Sequence, residues 1–270
     1  MIGLGTYSFF WQLSDRMPQP LTLGDALDQT AAQGLQVFQI CDYPKIMDFD
    51  ANALRDLRQR ADDLGLTLEL GTRGTTVEHL QQYLRLAEVL QAKILRTMLN
   101  PVGDDATPQE SEERLRKVLP DYDRAGVTIA LETYERVPTK TLVRLVETVG
   151  SERLGVCLDP GNGVAALDLP AETIDRCAPY VKDVHVKDFA FTRGEGWVGF
   201  QYTGAPLGTG LLDYGHLERA VEPERHGLSQ IVEHWLPWQG DPAATAAEER
   251  RWTAVAVEYL RDYQKEHDHA

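Results

Sequence analysis

Ala125-Gly-Val-Thr-Ile-Ala-Leu-Glu132 decides the fold of this chain. A helical pattern stops at Gly126, an apolar run follows, and an acid closes it. Glycine just past a helix C-terminus takes the left-handed backbone that ends the helix. A short apolar run bounded in this way reads as a buried strand. Leu154-Gly-Val-Cys-Leu-Asp159, Val184-His-Val-Lys-Asp188 and Gln230-Ile-Val-Glu233 repeat the pattern downstream. Upstream, Gln33-Gly34-Leu35 and Leu64-Gly65-Leu66 carry the same helix-to-strand punctuation, with Ala92 filling the equivalent slot before a further strand. The reading gives eight strands at about 2–7, 36–41, 66–71, 93–98, 127–132, 154–159, 182–187 and 229–233.

Between them lie amphipathic helices. Leu54, Leu57, Ala61 and Leu64 share one face, and Leu142, Leu145, Val146 and Val149 another. A last helix from about 243 to 265 carries Trp252, Val255, Ala256 and Tyr259 along one stripe. Thr107-Pro-Gln-Glu110 has the form of a capping box with proline at the first helical position. Strands alternating with helices imply a parallel sheet, and eight such units over 270 residues fit one α/β domain, a (β/α)8 TIM barrel spanning 1–270. The long Gly-rich and aromatic segment at about 188–212 is expected to be a functional loop.

The acids exceed the bases by 15. Such a charge repels phosphate backbones and anionic lipid, so neither nucleic acid nor membrane is an expected partner. Cys41, Cys157 and Cys177 lie far apart without a Cys-x-x-Cys pair and read as reduced thiols. The opening Met1-Ile-Gly-Leu-Gly-Thr-Tyr-Ser8 has no basic stretch of a signal peptide, and a cytoplasmic location is expected.

In a parallel barrel the strand ends meet at one mouth, where active sites form. Glu132, Asp159, His185 and Glu233 would therefore emerge together from four successive strands. Three carboxylates and one imidazole suit one divalent cation of the kind of Mn²⁺, Mg²⁺ or Co²⁺, with Zn²⁺ also accommodated.

These residues carry a resemblance. Ile129-Ala-Leu-Glu132, Gly155-Val-Cys-Leu-Asp159-Pro-Gly-Asn162, Val184-His185-Val-Lys-Asp188 and Ile231-Val-Glu233 resemble the xylose isomerase-like TIM barrels. Within these the chain is most similar to the sugar phosphate isomerase/epimerase family, in its ketose 3-epimerase and hydroxypyruvate isomerase branch. The resemblance covers essentially the whole chain. It implies one divalent metal, commonly Mn²⁺, held by Glu132, Asp159, His185 and Glu233, with the two glutamates also serving as acid and base. It also implies a homodimer or homotetramer. Two positions depart from the epimerase pattern: Pro138 stands where a second glutamate is usual, and Asn162 where a histidine is usual. Endonuclease IV shares the barrel, but its multi-zinc site needs further histidines that this chain lacks.

The reaction expected from the resemblance is metal-dependent isomerisation or epimerisation of a small keto sugar or hydroxy-keto acid through an enediolate. The alternative is a lyase with the same metal site, a decarboxylase or dehydratase of an oxidised, 3-oxo sugar acid. For the substrate, a small sugar or sugar acid, the expected contacts are Tyr7, Glu69, Arg96, Asn162, Lys187, Arg193, Trp197 and Phe200. The basic members would suit a carboxylate or phosphate, and the aromatic ones a sugar face. Gly204-Ala-Pro-Leu-Gly-Thr-Gly210 lacks the ending of a phosphate-binding loop and reads as a structural turn, with Asp213 capping the next helix. Trp235-Leu-Pro-Trp238 fits either a lid or a subunit contact.

Overall fold

Eight of the strands close on one another. A computed structural model describes residues 1–267 apart from 195 and 197. Its barrel strands are β1 (Ile2–Gly5), β2 (Val37–Cys41), β3 (Thr67–Gly71), β4 (Ile94–Thr97), β5 (Thr128–Glu132), β6 (Leu154–Leu158), β7 (Val181–Val186) and β10 (Gln230–Val232). All neighbouring pairs are parallel, in the order β1-β10-β7-β6-β5-β4-β3-β2 and back to β1. Each expected strand is present, and the single (β/α)8 barrel follows.

Helices α1 (Leu23–Ala32), α2 (Ala51–Asp63), α3 (Val77–Leu90), α4 (Pro108–Ala125), α5 (Thr139–Val149), α6 (Pro170–Cys177), α7 (Tyr214–Val221) and α8 (Pro242–His267) surround it. Leu142, Leu145, Val146 and Val149 of α5 are all buried, as their spacing requires. On α8 the buried stripe is Trp252, Ala256, Val257 and Leu260, turned slightly from the expected one. Gly34, Gly65 and Gly126 have φ of +67°, +69° and +65° and end their helices as expected. At the fourth junction Gln91, not Ala92, takes the left-handed conformation. The capping box at Thr107 and Glu110 is formed.

The segment at 188–212 differs from the expected loop. Residues Asp188–Arg193 (β8) and Phe200–Ala205 (β9) pair antiparallel as a hairpin rising from the mouth. Phe189, Phe191 and Tyr202 pack their rings together there. The hairpin base is pinned by Asp188, whose carboxylate accepts from the backbone N–H of Gly208, Gly210 and Leu212. Gly204 and Ala205 end β9, and the turn suggested by the sequence follows them, while Asp213 does cap α7.

Candidate metal centre and active site

Strand β7 sends alternate side chains inward at three heights, because side-chain direction alternates along a strand. Asp183 lies deepest, His185 next, and Lys187, just past the strand, at the mouth; all three are buried. Glu132 ends β5, and Asp159 and Glu233 follow β6 and β10 directly. Parallel register brings the four expected donors together. One donor atom from each of Glu132, Asp159, His185 and Glu233 lies within 4.8 Å of all the others.

The chemistry of this set fits a divalent ion. Glu233 Oε1 is buried and accepts no hydrogen bond, while Glu132 Oε2 and Asp159 Oδ2, also buried, meet Arg96 and Lys187. Uncompensated buried carboxylate oxygens are costly unless a cation meets them. His185 Nδ1 points into the same space, 3.2 Å from Glu132 Oε1 and 3.4 Å from Glu233 Oε1.

The ring is steered from below. Gln39 donates from Nε2 to Asp183 Oδ2 at 2.8 Å and to Glu69 Oε2 at 3.1 Å. Its Oε1 then faces His185 Nε2 at 2.8 Å and can only accept, so Nε2 donates and Nδ1 is the nitrogen turned toward Glu132 and Glu233. Burial and the neighbouring Asp183 push the Glu69 carboxyl up to about 8. Burial likewise raises Asp183.

Around the donors, charge is closely matched. Burial pushes Glu132 up, but the Arg96 guanidinium and His185 outweigh it and hold the carboxyl down at about 2. Burial opposes the charged form of His185, yet Glu233 and Glu132 lift it to about 9. Asp159 is raised, burial outweighing the Lys187 ammonium. Lys187 Nζ sits 2.6 Å from Asp159 Oδ2 and 3.2 Å from Glu233 Oε2, with its ammonium 4.2 Å from the Trp235 ring centre. Asn162 donates to Glu132 Oε1 at 3.0 Å and to the Thr133 carbonyl at 3.2 Å.

Above the donors opens a cavity of about 240 Å³, lined in part by Tyr7, Arg73, Arg96, Glu132, Asn162, Lys187, Glu233 and Trp235. Tyr7, Arg96, Asn162 and Lys187 reach this cavity. Glu69 does not: it lies beneath the donors, its oxygens taken by Ser229 and Gln39, and it makes no pair with Arg96. Arg96 pairs instead with Glu132 and with Asp42. Arg193 and Phe200 stack on each other at the exposed end of the hairpin, guanidinium 4.3 Å from the ring centre, away from the cavity. Trp197 lies outside the described residues.

Three participants escape the sequence reading. Asp42 directly follows β2 in a left-handed conformation (φ 49°) and could be found by the same strand-end rule as the other acids. Gln39 gives no signal, being one polar residue inside an apolar strand. Arg73 stands on the loop after β3, where no periodicity points inward.

Residues 27–256 match the family model described as xylose isomerase-like TIM barrel. The chain belongs to this family. It is 49% identical over 259 residues, 96% of this chain and 94% of the relative, to a 3-oxo-isoapionate decarboxylase of Pectobacterium atrosepticum. Among solved structures it resembles a D-psicose 3-epimerase from Clostridium cellulolyticum H10 with D-tagatose, with a TM-score of 0.73, 14% identity and coverage of 97% of this chain and 98% of that one. A family barrel from Mycobacterium smegmatis in complex with magnesium gives a TM-score of 0.67 at 18% identity, covering 96% and 97%. Among the described residues no helix is long and apolar enough to cross a membrane.

Proposed function

We propose that this chain is a divalent-metal-dependent decarboxylase of a 3-oxo sugar acid. The observation that carries the reading is the 49% identity, over 96% of the chain, to the 3-oxo-isoapionate decarboxylase. The charge of the mouth supports it. Arg73, Arg96, Arg136 and Lys187 face Glu132, Glu135 and Glu233 in the cavity wall, with Asp42 and Asp159 directly behind. Guanidinium and ammonium groups of this kind suit an acidic substrate.

Loss of CO₂ from a 3-oxo acid sends the electrons of the C1–C2 bond toward the C3 ketone oxygen, and an enolate remains. Where C2 carries a hydroxyl, the product is the same enediolate that isomerases and epimerases form by removing a proton. A cation held by Glu132, Asp159, His185 and Glu233 would supply Lewis acidity at the ketone oxygen. The chain itself contributes Lys187 as a fixed positive charge near the developing anion, in a pocket walled by Tyr7 and Trp235. A proton must finally reach C2, and Lys187 and Glu233, paired at 3.2 Å and both lining the cavity, are placed to deliver it.

The isomerase or epimerase reading keeps one specific support, the presence of both Glu132 and Glu233 in the cavity wall. The two are separated by incubating the Mn²⁺-loaded protein with 3-oxo sugar acids and with ketoses. CO₂ release from an acid is expected, reduced at least about 100-fold in Glu132→Gln and in Glu233→Gln. Epimerisation of a ketose without CO₂ release from any acid would overturn the proposal.

A further inference from the structure

We infer that Arg73 is the residue that recognises the substrate's carboxylate; the inference rests on the decarboxylase reading and assigns its specificity. Of the cations at the cavity, Arg96 is buried and paired with Glu132 and Asp42. Lys187 is buried and paired with Asp159 and Glu233. Arg136 pairs with Asp105 at 3.2 Å. Arg73 differs. Its side chain is 52% exposed and lines the cavity, and two hydrogen bonds hold it there. Nε donates to Asp42 Oδ2 at 2.8 Å and Nη2 to Tyr7 Oη at 2.7 Å. Tyr7 Oη in turn donates to the same Asp42 oxygen at 2.9 Å.

This triangle fixes the plane of the guanidinium and leaves Nη1 without a hydrogen bond among the described residues. A pre-positioned fork with donors to spare suits a carboxylate, because little freedom is lost when the ligand arrives. Asp42 is itself held from the other side by Arg96, at 3.2 Å. The carboxylate grip and the metal shell are therefore linked by the chain Arg73–Asp42–Arg96–Glu132.

The chemistry predicts how the grip divides between binding and rate. The carboxylate's charge disperses as CO₂ leaves, so an attraction to Arg73 is strongest before the reaction. Its loss should raise KM more than it lowers kcat. Calorimetric titration of the Mn²⁺-loaded protein with ribonate and with ribulose, an acid and a neutral sugar of the same carbon count, tests the assignment without turnover. Arg73→Met is expected to weaken ribonate roughly 10- to 100-fold, the value of a hydrogen-bonded ion pair, while ribulose keeps its affinity and so reports an intact site. Arg73→Lys should recover part of the loss. Equal weakening of both ligands, or no change with ribonate, would overturn the role of Arg73. A wild-type protein that releases no CO₂ overturns the decarboxylase reading instead, and the ribonate comparison still decides the carboxylate contact.

Discussion

At Gln39 a single amide meets three buried partners, and their identities dictate its orientation. Two are the carboxyl groups of Asp183 and Glu69, both of which accept from the NH₂ end. The third, His185 Nε2, must therefore donate to the remaining oxygen. A metal-binding imidazole held by its other nitrogen presents its lone pair in a fixed direction, and such partners are worth roughly 10- to 100-fold in metal affinity. Gln39→Leu is expected to weaken Mn²⁺ binding by that factor while Glu132, Asp159 and Glu233 remain in place; titration of the metal-free protein with Mn²⁺ checks it. An unchanged affinity would show that packing alone orients His185. None of this is visible in Val37-Phe-Gln-Ile-Cys41, because a lone polar residue in a strand does not reveal what lies across the barrel.

At the scale of elements, α8 is fastened to the segment after β1 through Glu249. Its carboxylate accepts from the backbone N–H of Trp11 and Gln12 and from the Gln12 amide. Burial nevertheless outweighs these bonds and raises the carboxyl from 4.5 to about 7. Between those two values the folded chain keeps a proton that the unfolded chain has released. Stability should accordingly fall as pH rises through this window, by at most about 1.4 kcal/mol per pH unit from this one group, and level off above it. Urea denaturation at pH 5 and pH 7.5 checks the slope against Glu249→Gln, in which it should be shallower; identical slopes would discharge Glu249 from the role. Elements differ in how plainly the sequence announces them. The barrel strands are legible because each follows a helix stop and ends in polar residues. The β8–β9 hairpin is not, because Gly194, Gly196 and Gly199 give its segment the composition of a loop, while the pairing that makes it a hairpin runs between Asp188 and Ala205.

For the whole molecule, closure of the barrel is what brings four scattered residues together as a candidate metal centre. The strand-end acids and His185 are legible from sequence because parallel strands deliver their ends to one mouth. Arg73 and Gln39 are not, since one depends on a loop's path and the other on a contact across the barrel interior. The same closure concentrates carboxylates in a chain that already carries an excess of 15 negative charges. Glu132, Asp159 and Glu233 sit within reach of one another in a buried setting, where their mutual repulsion opposes folding. A cation that binds only the folded barrel relieves it. At about 100 times the dissociation constant, Mn²⁺ should stabilise the fold by about 2.7 kcal/mol, equivalent to a rise in Tm of roughly 5 to 10 °C for a chain of this size. Scanning calorimetry of chelator-treated protein with and without Mn²⁺ measures the shift directly. Asp159→Asn removes one donor's charge and is expected to abolish most of it. A Tm indifferent to Mn²⁺, or an Asp159→Asn variant that keeps the full shift, would mean that the quartet does not hold the ion.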